Sequence, residues 1–226
     1  MSHFTLAVLH YEPYEDLDGM LAPFDEATTD PDFLTFREDE SGPLDEKTGK
    51  HGYYSNKNAK YDWFVPGGRW RGLLKLKPGA TTGRYASISD DPACPDDLTH
   101  CDSAQIKDID FALSEEAYNR ALRVWDYLVE GKPWVGKPDE EPLRLYKPKY
   151  YRDLYGNRET YAKEASAFST YAFLTPDGVW HEPGQMGWFG FSSQTRKSKA
   201  EYLEAFEREI VHANPERYLT ILDCHI

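Results

Sequence analysis

The sequence has few cysteines, no long apolar run and none of the short motifs that mark common hydrolases. No stretch approaches the roughly 18 apolar residues of a membrane span, so we expect no membrane association. The N-terminus lacks a basic leader and a cleavage site, which predicts a strand instead of a signal peptide. Three cysteines, an odd number without framework spacing, favour a reducing compartment and a cytoplasmic protein.

One short stretch of cysteine and histidine could suggest a zinc site. The stretch CPDDLTHC places Cys94, His100 and Cys101 close together in the chain. A structural zinc site normally takes four ligands, and this stretch offers three at an unusual spacing. We therefore predict no metal ion and no cofactor.

Positive charge is in the minority, because 26 Lys and Arg oppose 39 Asp and Glu for a net charge of -13. A uniformly acidic surface would repel nucleic acid. The bases are concentrated, however: residues 57–84 carry seven against Asp62 alone, and residues 144–158 carry five against Asp153 alone. This contrast indicates local sites for an anion on an otherwise acidic protein.

Apolar patterning predicts an α+β fold in a single domain spanning residues 1–226. Short, β-rich apolar runs predict a mainly antiparallel sheet with helices packed on one face. Pro66, Gly67 and Gly68 are expected to form the turn of a hairpin, and a Pro-Asp-Gly turn predicts a second one. The predicted strands are 3–10, 61–65, 69–77, a hairpin within 168–182, and 217–226.

Helical spacing of apolar residues predicts the remaining regular structure. Ser114 is expected to cap the helix at 114–130, and Ser198 with Glu201 to form a capping box. The other predicted helices are 13–24, 158–166 and 198–212. Irregular insertions are expected near 25–58, 79–103 and 132–157. The alternatives for the acidic first are a solvated loop and a lid, either of which could include a short β pair.

A weak internal echo links WFVPGGRWRG (63–72) with WHEPGQMGWFG (180–190). Both stretches place Trp, Pro-Gly, Trp and Gly at similar spacings. The echo suggests two related halves that share one sheet, as in a ferredoxin-like arrangement. In such a sheet the first and last strands pair antiparallel.

Several blocks resemble a family of bacteriophage-encoded proteins without a settled activity. They are MSHFT at the start, NAKYDWFVPGGRW (58–70), KDIDF (107–111), GQMGWFG (184–190) and the terminal DCHI. The blocks span nearly the whole chain. The resemblance implies a phage accessory protein acting inside an infected bacterium, and it supplies no catalytic residues.

The Gly-Gly-Arg-Trp turn is the first candidate site. Glycines allow a close backbone approach, and the N–H groups of such a turn can form an anion nest. Arginine can grip a phosphate with two hydrogen bonds, and tryptophan can stack on a base. The alternative is a tight hairpin whose arginines pair with nearby acids. The candidate ligand-binding residues are Trp63, Gly67, Gly68, Arg69, Trp70 and Arg71.

The second candidate is RLYKPKYYRDLYGNR (144–158), in which bases alternate with tyrosines. This mixture suits phosphate contact with base stacking, and Lys147, Tyr150 and Arg152 are the candidate residues. The alternative is a surface loop in which basic stems cover packed tyrosines. We expect the two basic segments to converge on one pocket.

The third candidate joins the two ends of the chain. If the terminal strands pair antiparallel, His3 lies near Asp223 and His225, and Cys224 points to the other face. Two histidines and an aspartate could perform acid–base catalysis or bind a metal. The alternative is a polar sheet end held by hydrogen bonds.

Three functions fit these features. The first is a protein that binds a phosphorylated small molecule, such as a nucleotide, and sequesters a host defence signal. The second is a hydrolase or transferase acting on nucleotides or nucleic acid, with acid–base groups among Asp62, Asp223 and His225. The third is an acidic inhibitor that mimics DNA and blocks a host protein. A homo-oligomer is compatible with all three.

Overall fold

A computed structural model describes residues 2–13, 16–85, 98–187 and 191–226. The strands are β1 (His3–His10), β2 (Leu34–Glu38), β3 (Leu44–Asp45), β4 (Lys50–Asn56), β5 (Trp63–Pro66), β6 (Leu74–Lys75), β7 (His100–Cys101), β8 (Ser103–Gln105), β9 (Ala172–Leu174), β10 (Trp180–His181) and β11 (Tyr218–His225). The helices are α1 (Leu17–Leu21), α2 (Glu115–Leu128), α3 (Pro148–Tyr155), α4 (Arg158–Ser166) and α5 (Arg196–Phe206). Cys94, a candidate ligand, and the middle of the predicted loop 79–103 lie outside the described residues.

The central sheet is built on the two ends of the chain. Strands β1 and β11 pair antiparallel along their full length, from His3 opposite His225 to His10 opposite Tyr218. On the other side of β1 lies β9, parallel to it, followed by β10. On the other side of β11 lie β5 and β8, both antiparallel. The predicted α+β fold with mainly antiparallel pairing is therefore confirmed.

Both faces of this sheet are covered, so β1 and β11 are buried along nearly their whole length and are mainly apolar in their middle. Ala7 and Leu9 face a core that includes Phe206 and Ile210, from α5 and the π-helical segment Glu207–Val211 that continues it. Leu6 faces a second core that includes Leu21 of α1. Helices thus lie on both faces, and the prediction of a single helical face holds for α5 but not for α1.

A separate cluster is formed by α2, α3 and α4. Val124, Trp125 and Leu128 of α2 are buried there against tyrosines of α3 and α4. The Ser114 hydroxyl accepts a hydrogen bond from the N–H of Ala117, so the predicted cap of α2 is confirmed. The bidentate pair between Arg158 and Asp126 joins α4 to α2.

Several local predictions are corrected. The stretch 69–77 is not one strand, because Gly68–Trp70 forms a 3₁₀ turn and β6 pairs with β7. The loop 132–157 contains α3, which begins at Pro148, where a missing N–H costs nothing. Helix α5 starts earlier than predicted, because Thr195 and Ser198 form its capping box.

Two larger expectations also change. The acidic stretch 25–58 contains a small sheet in the order β2–β4–β3, so it is only partly irregular. The ferredoxin-like arrangement is not confirmed, since β1 and β9 pair in parallel and that fold is wholly antiparallel. Among the described residues, no helix has the length and apolar character needed to cross a membrane.

Candidate functional site

The paired ends of β1 and β11 bring two histidines together with an exposed tryptophan. His3 is opposite His225, and β5 places Trp63 opposite His225 on the other side of β11. Directly opposed residues share a face of the sheet. The His3 and His225 ring centroids are 5.0 Å apart, and the Trp63 indole stacks on His225 at 5.0 Å. The predicted proximity of the two histidines is confirmed, whereas a catalytic role stays a prediction.

Each imidazole is held by its own carboxylate. The Nδ1 atom of His3 lies 2.7 Å from Oδ1 of Asp223, and Nδ1 of His225 lies 2.6 Å from Oδ1 of Asp62. An ionised carboxylate can only accept hydrogen bonds, so each Nδ1 carries the proton that it donates. In the neutral ring this leaves the lone pair on Nε2, which is the form that a general base requires.

The Nε2 atom of His225 is buried and has no hydrogen-bond partner among the described residues, a state that it shares with Nε of Arg123. The His225 side chain is only 8% exposed. Leaving such an atom unpaired costs about 1–3 kcal/mol, so unpaired buried polar groups are rare in native proteins. The ring is covered by Trp63, whose own side chain is accessible, with the residue 45% exposed.

The glycine turn does bind anions, and they are carboxylates of the protein itself. The N–H of Arg69 donates to Oδ2 of Asp223 at 3.0 Å, and the N–H of Gly72 donates to Oδ1 of Asp102 at 2.6 Å. Asp223 thus joins the turn to His3, since its other oxygen accepts from that imidazole. These two N–H groups are already occupied by carboxylates of the protein, so neither is free to bind an external anion.

Glycine is required here by position and conformation together. Gly67 and Gly68 have φ values of 69° and 51°, in the left-handed region that favours glycine. A Cβ atom on Gly67 would lie 2.6 Å from Oδ2 of Asp102, and one on Gly68 would lie 2.4 Å from Cβ of Asp223. The close backbone approach predicted for a ligand is therefore made to two aspartates.

The side chains of the turn have separate surroundings. Trp70 is half-buried and packs against the α5 side of the core, and the Arg71 guanidinium lies 4.6 Å from the ring centre of Tyr85. Arg69 and Arg71 do not lie on the predicted strand, because Gly68–Trp70 forms a 3₁₀ turn there. Arg69 is exposed, and its guanidinium has no partner among the described residues.

The second basic segment contributes to the helical cluster. Arg152 donates from Nη2 to the carbonyl oxygen of Val129 at 3.1 Å, which ties α3 to the end of α2. Tyr150 stacks on Tyr146 with ring centroids 4.2 Å apart. Lys147 is the N-cap residue of α3 and is exposed.

Many of the predicted anion-binding bases are neutralised locally. Ion pairs join Lys60 to Glu182, Lys75 to Asp110, Lys149 to Asp153 and Arg158 to Asp126. In the part of the chain that the structure describes, no hydrogen bond, ion pair or ring contact joins residues 57–84 to residues 144–158. Convergence of the two segments on one pocket therefore gains no support.

A cleft of about 740 Å³ lies beside the histidine pair. Its wall includes Asp62, Trp63 and Phe64, together with carboxylates from the region around α1. Burial raises the pKa of Tyr61, another lining residue, far above its usual value, so its hydroxyl stays protonated. Sequence reasoning missed this cleft because its walls come from residues 16–25 and 61–66. The carboxylates from the region around α1 are those of Asp16, Asp18 and Asp25.

No arrangement of three or more His, Cys, Asp or Glu side chains suited to a metal ion occurs in the described residues. The chain was also compared with protein-family models, curated proteins and solved structures, and none of them matches it. The arrangement of the site therefore carries the functional argument.

Proposed function

We propose that the chain is an acid–base enzyme, a hydrolase or transferase, that acts on a phosphorylated, nucleotide-like substrate. One observation carries the proposal: two adjacent imidazoles each have Nδ1 held by a carboxylate, and Nε2 of His225 is buried without a partner. In the phage setting that the sequence resemblance implies, the substrate would be a nucleotide made by the host.

The two histidines would divide the proton transfers between them. His225, oriented by Asp62, would accept a proton at Nε2 from the attacking hydroxyl or water. His3, oriented by Asp223 and acting in its imidazolium form, would deliver its Nε2 proton to the leaving oxygen. Positioned acids and bases of this kind accelerate reactions by about 10²–10⁴-fold. The carboxylates keep each ring in one tautomer and stabilise its protonated form.

The surroundings indicate how a nucleotide would be oriented. Trp63 offers an exposed ring on which a base can stack, a contact of about 1–3 kcal/mol in single-strand binders. The carboxylates of the cleft would repel a phosphate. The base would therefore enter the cleft, and the phosphate would lie toward Arg69, whose backbone N–H already contacts Asp223.

The test is turnover of a panel of linear and cyclic nucleotides and short oligonucleotides, followed by chromatography. We expect a product from the wild-type chain and a loss of about 10²-fold or more in kcat for H225N and D62N. The matched control is H212N, because His212 lies on the surface with its side chain 69% exposed. Equal rates for H225N and H212N, in folded proteins, would overturn the assignment.

A second candidate, sequestration without turnover, is favoured by the burial of Nε2 of His225. A buried reactive atom cannot meet a substrate unless the side chains around it move, whereas a stacked ligand needs only the exposed ring of Trp63. Titration calorimetry with the same panel distinguishes the two functions. Tight binding that is lost in W63A, with the ligand recovered intact, supports sequestration and counts against catalysis.

A further inference from the structure

A second feature lies outside the histidine site: a run of exposed apolar and basic side chains before and within α3. All residues from 143 to 150 are exposed, and we call this stretch the strap. Leu143 and Leu145 are 76% and 73% exposed, values that are unusual for leucine in a folded protein. The strap carries three bases and no acid. Apolar side chains rimmed by charge are typical of protein-interaction surfaces.

The small sheet of β2, β3 and β4 presents a surface of the opposite charge. Residues 38–46 carry five acids and no base. We define this stretch, with Tyr53 and Tyr54, as the arm tip. Leu44 is 60% exposed there, and both tyrosines are exposed. The arm tip encloses a cleft of about 440 Å³ lined by Pro43, Leu44, Asp45, Glu46, Lys47, Gly52, Tyr53 and Tyr54.

The two surfaces complement each other in apolar character and in charge. Within one copy, no hydrogen bond, ion pair or ring contact joins them in the part of the chain that the structure describes. Hydrogen bonds from Ser41 lower the pKa of Asp39 and those from Thr48 lower the pKa of Asp45, so these two carboxylates are charged at neutral pH. Each surface is therefore available to another molecule.

We propose that the arm tip of one copy of the chain binds the strap of a second copy. Leu143 and Leu145 enter the cleft between Leu44 and the tyrosines, and Lys147 faces the acids. If both contacts form between the same two molecules, the assembly is a closed dimer with twofold symmetry; otherwise the copies form a chain or ring. The association weakens as salt rises, because part of its free energy comes from exposed ion pairs.

Sedimentation velocity of the wild-type chain, at increasing concentration and in low and high salt, tests the proposal directly. We expect concentration-dependent association that high salt reduces. Two variants separate the surfaces: L145E/K147E alters the strap, and L44K/E46K alters the arm tip. L113E is the matched control, since Leu113 is an exposed leucine outside both surfaces.

Each double variant should be monomeric alone, and an equimolar mixture should associate again, because each partner supplies one intact surface. L113E should behave as the wild type. A monomeric wild-type chain would overturn the proposal, and so would association that neither double variant reduces. Recovery of nucleic acid bound to an otherwise monomeric wild-type chain, lost in L145E/K147E, would assign the strap to that partner instead and overturn self-association.

Discussion

The requirement for glycine at position 68 gives the sharpest test of how the site is held. In G68A the new Cβ would lie 2.4 Å from Cβ of Asp223 and 2.6 Å from its Oδ2 atom. The backbone would also have to keep a φ of 51°, or abandon the turn. Either change displaces the Asp223 carboxylate from the N–H of Arg69 and from His3.

The expected cost follows from these contacts. A left-handed backbone costs a residue with a Cβ about 1–2 kcal/mol. Loss of the hydrogen bond to a buried carboxylate adds about 1.5–3 kcal/mol. G68A should therefore lower the free energy of unfolding by about 2.5–5 kcal/mol, the sum of the two. G79A isolates the first contribution, because Gly79 has a φ of 80° and a Cβ there would meet no atom within 4 Å.

Urea unfolding followed by tryptophan fluorescence measures both variants, and the difference between them isolates the contact with Asp223. Nitrogen chemical shifts of the His3 ring provide a second readout, since displacement of Asp223 frees the tautomer while a simple loss of stability does not. If G68A and G79A lose the same free energy of unfolding and the His3 shifts stay unchanged, the reasoning is refuted.

Two further predictions concern stability. Hydrogen bonding from Arg158 lowers the pKa of Asp126 in the folded protein. The pair therefore stabilises the fold fully above the pKa of an unfolded aspartate, about 3.9, and this stabilisation is lost as pH falls through the lower, folded pKa. D126N should cost about 1 kcal/mol at neutral pH, a small amount because both side chains are partly exposed, and urea unfolding should show the difference from wild type vanishing in strong acid. I221A should cost about 2–5 kcal/mol by the same method, because Ile221 is fully buried, whereas V179A, at an exposed site, should change stability by less than about 0.5 kcal/mol.

Local patterns were sufficient for much of the fold. The prediction of a strand at residues 3–10 matches β1, and the predicted helix at 114–130 contains α2 with its Ser114 cap. These elements follow from apolar spacing and capping, which depend on neighbours a few residues apart. The hairpin predicted around Pro66, Gly67 and Gly68 does not form, because β5 pairs with β11, at the far end of the chain. Strand partners depend on the whole sheet, which a local pattern does not encode.

For the candidate site, too, some residues could be predicted from the sequence and their partners could not. The residue types predicted for acid–base chemistry, His3, Asp223 and His225, were visible once the terminal strands were paired. The partner of His225 was not, because Asp62 is 163 residues away in the sequence. The Gly-Gly-Arg-Trp turn was predicted to bind an anion from outside. Its donors instead meet Asp223, at a separation of 154 residues from Arg69.

By itself, the sequence determined which segments are strands or helices at both ends of the chain, and that one glycine turn offers N–H groups to an anion. Only the tertiary structure decided which anion that is, which carboxylate holds each histidine, and which of the bases are paired locally. The physical reason is the separation in sequence over which each interaction acts. Backbone preference and apolar periodicity act between near neighbours, whereas a hydrogen bond between distant residues exists only after the sheet has set their register.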